Sequence, residues 1–120
     1  MKQRITVNQL HELTPDQQNK LREWWSIHRQ QGDVFICHGN DFLNGKTFAW
    51  DGHNKPFNMA IPLVSIGQCL SILERYAPML GMKHGCYGSW YLEIWTEESH
   101  KIFEDKECVD VCFQAVKSIL

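Results

Sequence analysis

The stretch Ser89-Trp90-Tyr91-Leu92-Glu93-Ile94-Trp95-Thr96 decides the fold class. Successive side chains of a strand point to opposite faces. Trp90, Leu92 and Ile94 therefore share one face, and Tyr91, Glu93 and Trp95 share the other. Glu97-Glu98 suits a turn, and His100 to Phe103 reads as the returning strand. Just upstream, Gly81, Gly85 and Gly88 give residues 81 to 88 the character of a loop.

Further upstream the period is again two. Val34-Phe35-Ile36-Cys37 is a short apolar run after Gly32-Asp33, and Asn44-Gly45 is a hairpin signal. Lys46 to Trp50 follows, with Phe48 and Trp50 on one face, and Asp51-Gly52 is a second turn. Phe57, Met59 and Ile61 then alternate, and Pro62 ends that strand or confines it to an edge. These segments predict a three-stranded meander with an irregular loop at 38–41.

Three helices frame the strands. Thr14-Pro15-Asp16-Gln17 is a capping box with proline at the first helical position, and the helix runs to about His28. Its apolar stripe is Leu21, Trp24, Trp25 and, at the edge, His28. Trp24 and Trp25 lie about 100° apart, so a narrow stripe places Trp24 in the core and Trp25 at its edge. Before it, residues 5–13 fit a strand end or a short helical turn. Ser65-Ile66-Gly67-Gln68 is a second capping box. Its helix carries Ile66, Cys69, Leu70, Leu73 and Ala77 on one face and stops at Pro78. The last helix begins near Asp105, with Val109, Cys112, Phe113, Val116 and Leu120 as its stripe. The expected fold is a single α+β domain over residues 1–120. It has a mainly antiparallel sheet of four or five strands and about three amphipathic helices.

With 120 residues, of which 43% are hydrophobic and 22% charged, the chain can bury one core and should fold. A formal charge of −2 excludes a generic polyanion binder, though a local basic patch stays open. No apolar run follows the charged N-terminus, so no secretory signal is expected. The longest apolar run, Met59 to Val64, is far short of the roughly 20 residues a membrane-spanning helix needs. Five cysteines, an odd number without framework spacing, fit reduced thiols and a cytoplasmic location.

The chemistry-bearing residues are scattered. Cys37, His38, His84 and Cys86 are the tempting metal set, but the spacing is poor for zinc. Cys37 and His38 are adjacent and would diverge on a strand. Small buried or exposed side chains without metal are the simpler reading, and no cofactor is expected. Cys108 and Cys112 share a helix face. A metal or redox pair is conceivable, but Cys112 lies in the apolar stripe, which favours a structural role. No nucleophile elbow, phosphate loop or metalloprotease motif occurs, and Glu104-Asp105 suits a helix start, so no enzymatic activity is expected.

The aromatic residues are more informative. The chain has five tryptophans. If Trp90, Leu92 and Ile94 face the helices, Tyr91 and Trp95 flank Glu93 on a face that an antiparallel sheet can leave wet. That face, with the edge at Trp25, is either a contact patch for a partner or a second copy, or a surface covered by a helix or loop. Binding of nucleic acid through it would need nearby cations, and only Lys83 and Lys101 are close in sequence.

Three segments together carry a resemblance: Leu13-Thr-Pro-Asp-Gln-Gln-Asn-Lys-Leu-Arg-Glu-Trp-Trp25, Ile61-Pro-Leu-Val-Ser-Ile-Gly-Gln-Cys-Leu70 and Asp110-Val-Cys-Phe-Gln-Ala-Val-Lys117. The combination resembles a group of short, uncharacterised proteins encoded by phages and prophages of Firmicutes. That group has a similar Arg-Glu-Trp-Trp, a similar Ser-Ile-Gly-Gln, and a tryptophan where this chain has Phe113. The match covers about 30 residues of caps and helix faces, which implies shared structure rather than a shared active site. It implies a small accessory protein that binds and modulates a host or defence protein inside a bacterial cell. A nucleic-acid-associated accessory protein is the alternative, and a small metal or thiol enzyme is a third reading.

Overall fold

The computed structural model describes residues 2–37, 46–54, 60–76, 79–85 and 88–120. The chain forms two compact units, one of Thr6–Val64 and one of Ser65–Leu120 together with the residues up to Ile5.

In the unit Thr6–Val64, two helices each open with a reciprocal cap. Helix α1, Val7–His11, begins at Thr6, whose Oγ1 accepts the Gln9 N–H at 3.2 Å while Gln9 Oε1 accepts the Thr6 N–H at 2.8 Å. Helix α2, Pro15–His28, repeats the arrangement through Thr14 and Gln17 at 3.2 and 2.9 Å. Of the two readings open for residues 5–13, the helical turn is the one that forms. Leu10 and Leu13 are buried there, and the Thr6 cap starts the turn.

The sheet of this unit contains β1 (Val34–Cys37), β2 (Phe48–Ala49) and β3 (Ala60–Pro62), in the antiparallel order β2-β1-β3. It is not the expected meander, because β1 lies in the middle. Phe35 and Ile36 point to opposite faces and both are buried, which suits a central strand covered on two sides. Pro62 ends the edge strand β3, where its missing N–H leaves no ladder bond unmade. Helix α2 packs against β3. The Asn44-Gly45 turn, the loop 38–41, Phe57 and Met59 lie outside the described residues.

The expected placement of the paired tryptophans is corrected. Trp25 is the more buried, 2% exposed against 8% for Trp24. The cause is Asp33, a buried carboxylate. Its Oδ2 accepts the Trp25 indole N–H at 2.9 Å and the Gln30 backbone N–H at 2.7 Å. Gly32, at φ +91°, makes the turn that aims Asp33 inward. Phe35 and Trp50 pack on the Trp25 ring, and the Arg29 guanidinium lies 5.7 Å from the Trp25 ring centre and 5.3 Å from that of Trp50.

The other unit contains helix α3 (Ile66–Tyr76), strands β4 (Met79–His84), β5 (Trp90–Trp95) and β6 (His100–Asp105), and helix α4 (Cys108–Ile119). The Ser65 and Gln68 cap forms as the sequence predicts, at 3.2 and 2.9 Å. Arg4 makes an antiparallel bridge with Ser65, and the Gln3 carbonyl accepts the Ile66 N–H at 3.3 Å. Lys2 pairs with Asp110 at 2.6 Å. The sheet order is β4-β5-β6, all antiparallel. Helix α4 packs on β5 and β6, and α3 packs on α4 and reaches β4.

The protein is α+β, as expected, but the single sheet of four or five strands is replaced. Among the described residues there are two sheets of three strands and four helices. The additional strand is β4. Its Gly81 lies in mid-strand opposite Glu93, and the Trp95 ring packs 3.7 Å from where a Cβ would stand. Glycine in a strand often marks such a close approach rather than a loop.

Candidate functional site

The register of the second sheet fixes which side chains share a face. Met82 stands opposite Leu92, and Leu92 opposite Phe103. Cys108 and Cys112 of α4 reach the Met82 sulfur, so the helices lie on this face. Leu92 and Ile94 are accordingly buried at 0 and 1% exposure. The opposite face carries Met79, Gly81 and Lys83 from β4, Tyr91, Glu93 and Trp95 from β5, and His100, Ile102 and Glu104 from β6.

On that face Trp95 stacks on His100, with ring centres 4.7 Å apart and planes 5° from parallel. His100 Nε2 is 3.8 Å from Glu93 Oε2, an ion pair whenever the imidazole is protonated. Gly81 leaves a gap in the row of side chains. A depression of about 210 Å³ forms there, lined by Gly81, Met82, Lys83, Tyr91 and Glu93. Tyr91 is held from the other side by the hairpin loop. Gly85 donates its N–H to Ser89 at 2.8 Å, and a Cβ on Gly85 would stand 2.7 Å from the Tyr91 ring. Met79 and Ile102 are 63 and 59% exposed, large apolar groups next to half-buried aromatics.

The structure thus brings Tyr91, Glu93 and Trp95 together. It takes Trp25 out of any contact surface, because that side chain is buried in the core of the other unit. Met79, Gly81, His100 and Ile102 join the face without having been singled out in the sequence. The signal for the first two was the alternation Met79, Gly81, Lys83, masked by the glycine.

Of the residues considered for a metal, Cys37 and His84 are among the described ones. Cys37 is half-buried on β1, and His84 is exposed and stacks on Trp90 at 4.7 Å. His38 and Cys86 lie outside the described residues. Among the described residues, no group of three or more His, Cys, Asp and Glu side chains is placed to hold a metal ion. No described helix is long and apolar enough to cross a membrane.

Cys69 of α3 and Cys108 and Cys112 of α4 are buried. Burial pushes all three thiols up, Cys112 to about 12. Alkylation requires the thiolate and access to it. In a Cys86→Ser variant under native conditions, iodoacetamide should therefore modify Cys37 first and leave these three intact until the protein unfolds. Peptide mass spectrometry reads the sites, and rapid labelling on α4 would show that its seam opens in the native state.

No family model, curated protein or solved structure matches this chain.

Proposed function

We propose that the protein works by binding another protein through the open face of its second sheet. The observation that carries this reading is the patch of Tyr91, Trp95, Met79 and Ile102 around the depression floored by Gly81. Aromatic and methionine side chains are enriched where proteins meet, and a pocket that admits a partner's side chain is the usual anchor. Glu93 stands at the middle of the face, opposite Gly81 and Ile102, and Lys83, His100 and Glu104 lie at its corners, so both signs of charge border the apolar groups. That suits a polar protein rim and gives little cation density for a phosphate backbone. The resemblance to phage and prophage proteins supports a protein of the bacterial host or its defences as the partner, bound and modulated without catalysis in the cytoplasm.

The test is capture of partners from a Firmicutes host lysate, with and without nuclease, comparing the wild-type chain with Ile102→Lys and Trp95→Ala. Ile102 is exposed and stands opposite Glu93, so a lysine there gains an opposite-charge neighbour and leaves the fold intact. Burying that charge in an interface should weaken binding by at least ~30-fold, corresponding to about 2 kcal/mol at a hot-spot position. Trp95→Ala should do the same. One near-stoichiometric protein that survives nuclease and is lost with Ile102→Lys supports the reading. Equal capture by Ile102→Lys overturns it. Recovery that vanishes with nuclease points to nucleic acid. A dimer of the purified chain, broken by Ile102→Lys, assigns the face to a second copy.

A further inference from the structure

The helix-facing side of the same sheet carries three sulfur atoms in a triangle. Cys108 Sγ and Cys112 Sγ lie 3.8 and 3.9 Å from Met82 Sδ. The two thiols stand one helical turn apart on the same face of α4. A metal about 2.3 Å from each of three sulfurs in a plane would hold them about 4.0 Å apart. Both cysteine–methionine separations already match that spacing. We propose that Cys108, Cys112 and Met82 bind one soft monovalent metal ion, copper(I).

The donor set selects the ion. Two thiols and a thioether are soft ligands, which favour copper(I), whereas structural zinc wants four nitrogen or thiolate donors in a tetrahedron. On binding, each cysteine gives up its S–H proton to solvent and forms one metal–sulfur bond. Met82 donates a lone pair and releases nothing. The product has two thiolates around one positive ion and a net charge of −1, with no change of oxidation state. Cys108 is the first residue of the 12-residue helix α4, where the unpaired N–H groups favour that negative charge. Access comes from the Met82 side. Both cysteines are buried, but Met82 lies on the edge strand β4 and is 38% exposed. Tight packing alone requires neither the two near-equal separations from the Met82 sulfur nor the exposure of Met82. The two cysteines lie on the opposite side of the sheet from the proposed protein-binding face, while Met82 also lines the depression on that face.

The test uses a Cys37→Ser, Cys86→Ser parent, which keeps the three helix-side thiols. Under anaerobic conditions it is titrated with copper(I) held by a competing chelator of known affinity. The parent should withdraw one equivalent of copper and melt at a higher temperature when loaded, because an ion bound by the native state stabilises it. Met82→Leu keeps the volume and both thiols, and should lose at least about tenfold in copper affinity. No withdrawal of copper by the parent overturns the proposal. So does equal affinity in Met82→Leu, a lowered melting temperature on loading, or zinc binding as tightly as copper. Copper-edge X-ray absorption on the loaded parent stands even if Met82→Leu fails to fold. Three sulfur neighbours are expected, and two sulfurs or any nitrogen neighbour overturn the site.

Discussion

Trp25→Ala should lower the stability of the protein by about 4 kcal/mol, measured as a shift of the urea midpoint. Two effects contribute. The ring is almost fully buried against Phe35 and Trp50, and its removal leaves a cavity the size of an indole. Its N–H also meets the buried Asp33 carboxylate at 2.9 Å. A second variant separates the two. Trp25→Phe keeps most of the apolar volume but takes a donor from Asp33, and should cost about 1–2 kcal/mol. Burial is thus expected to outweigh the hydrogen bond. A loss with Trp25→Phe as large as with Trp25→Ala would reverse that ranking and make the Asp33 contact the dominant one. A loss below about 1 kcal/mol in Trp25→Ala would return Trp25 to the surface, where the sequence pattern had placed its edge.

Phe113→Ala should cause a loss of similar size, about 3–5 kcal/mol, by emptying the centre of α4. Phe113 is 1% exposed, and α4 packs on α3, β5 and β6 at once, so no single neighbour can fill the space. A larger ring tests the same site from the other side. Phe113→Trp should be destabilising by about 1–3 kcal/mol, because this core has closed around the smaller ring. Thermal unfolding followed by circular dichroism reads both. A neutral Phe113→Trp would show that the core around α4 repacks freely.

Much of the architecture was legible because it rests on local chemistry. The caps at Thr14 and Ser65 are short-range hydrogen bonds between side chain and backbone, so four residues suffice to announce them. The faces of β5 follow from alternation over six residues. What was not legible depended on distant partners. Gly81 reads as loop until Trp95 is known to pack on it from the neighbouring strand. Trp24 and Trp25 cannot be ranked by helical angle alone, since Asp33 lies beyond the helix end and reaches back to the indole. The position of β1 between β2 and β3 depends on non-local pairing that no turn signal specifies. In the candidate site, Tyr91, Glu93 and Trp95 were readable from one strand, whereas Met79, His100 and Ile102 required the register of its two neighbours. The sulfur triangle was half visible, because Cys108 and Cys112 are one turn apart but Met82 comes from β4.

The bridge between Arg4 and Ser65 joins positions about sixty residues apart and draws the two ends of the intervening unit together. Protein synthesis runs from the N-terminus, so the segment Thr6–Val64 is complete while α3, the second sheet and α4 are still to be made. Residues 2–5 must wait for partners that emerge last, including Asp110 for Lys2. Assembly on the ribosome is therefore nested, with the inner unit able to form first and the outer one closing around its own beginning. A fragment that starts at Ser65 would lack one of its own edges, however well its remaining elements fold.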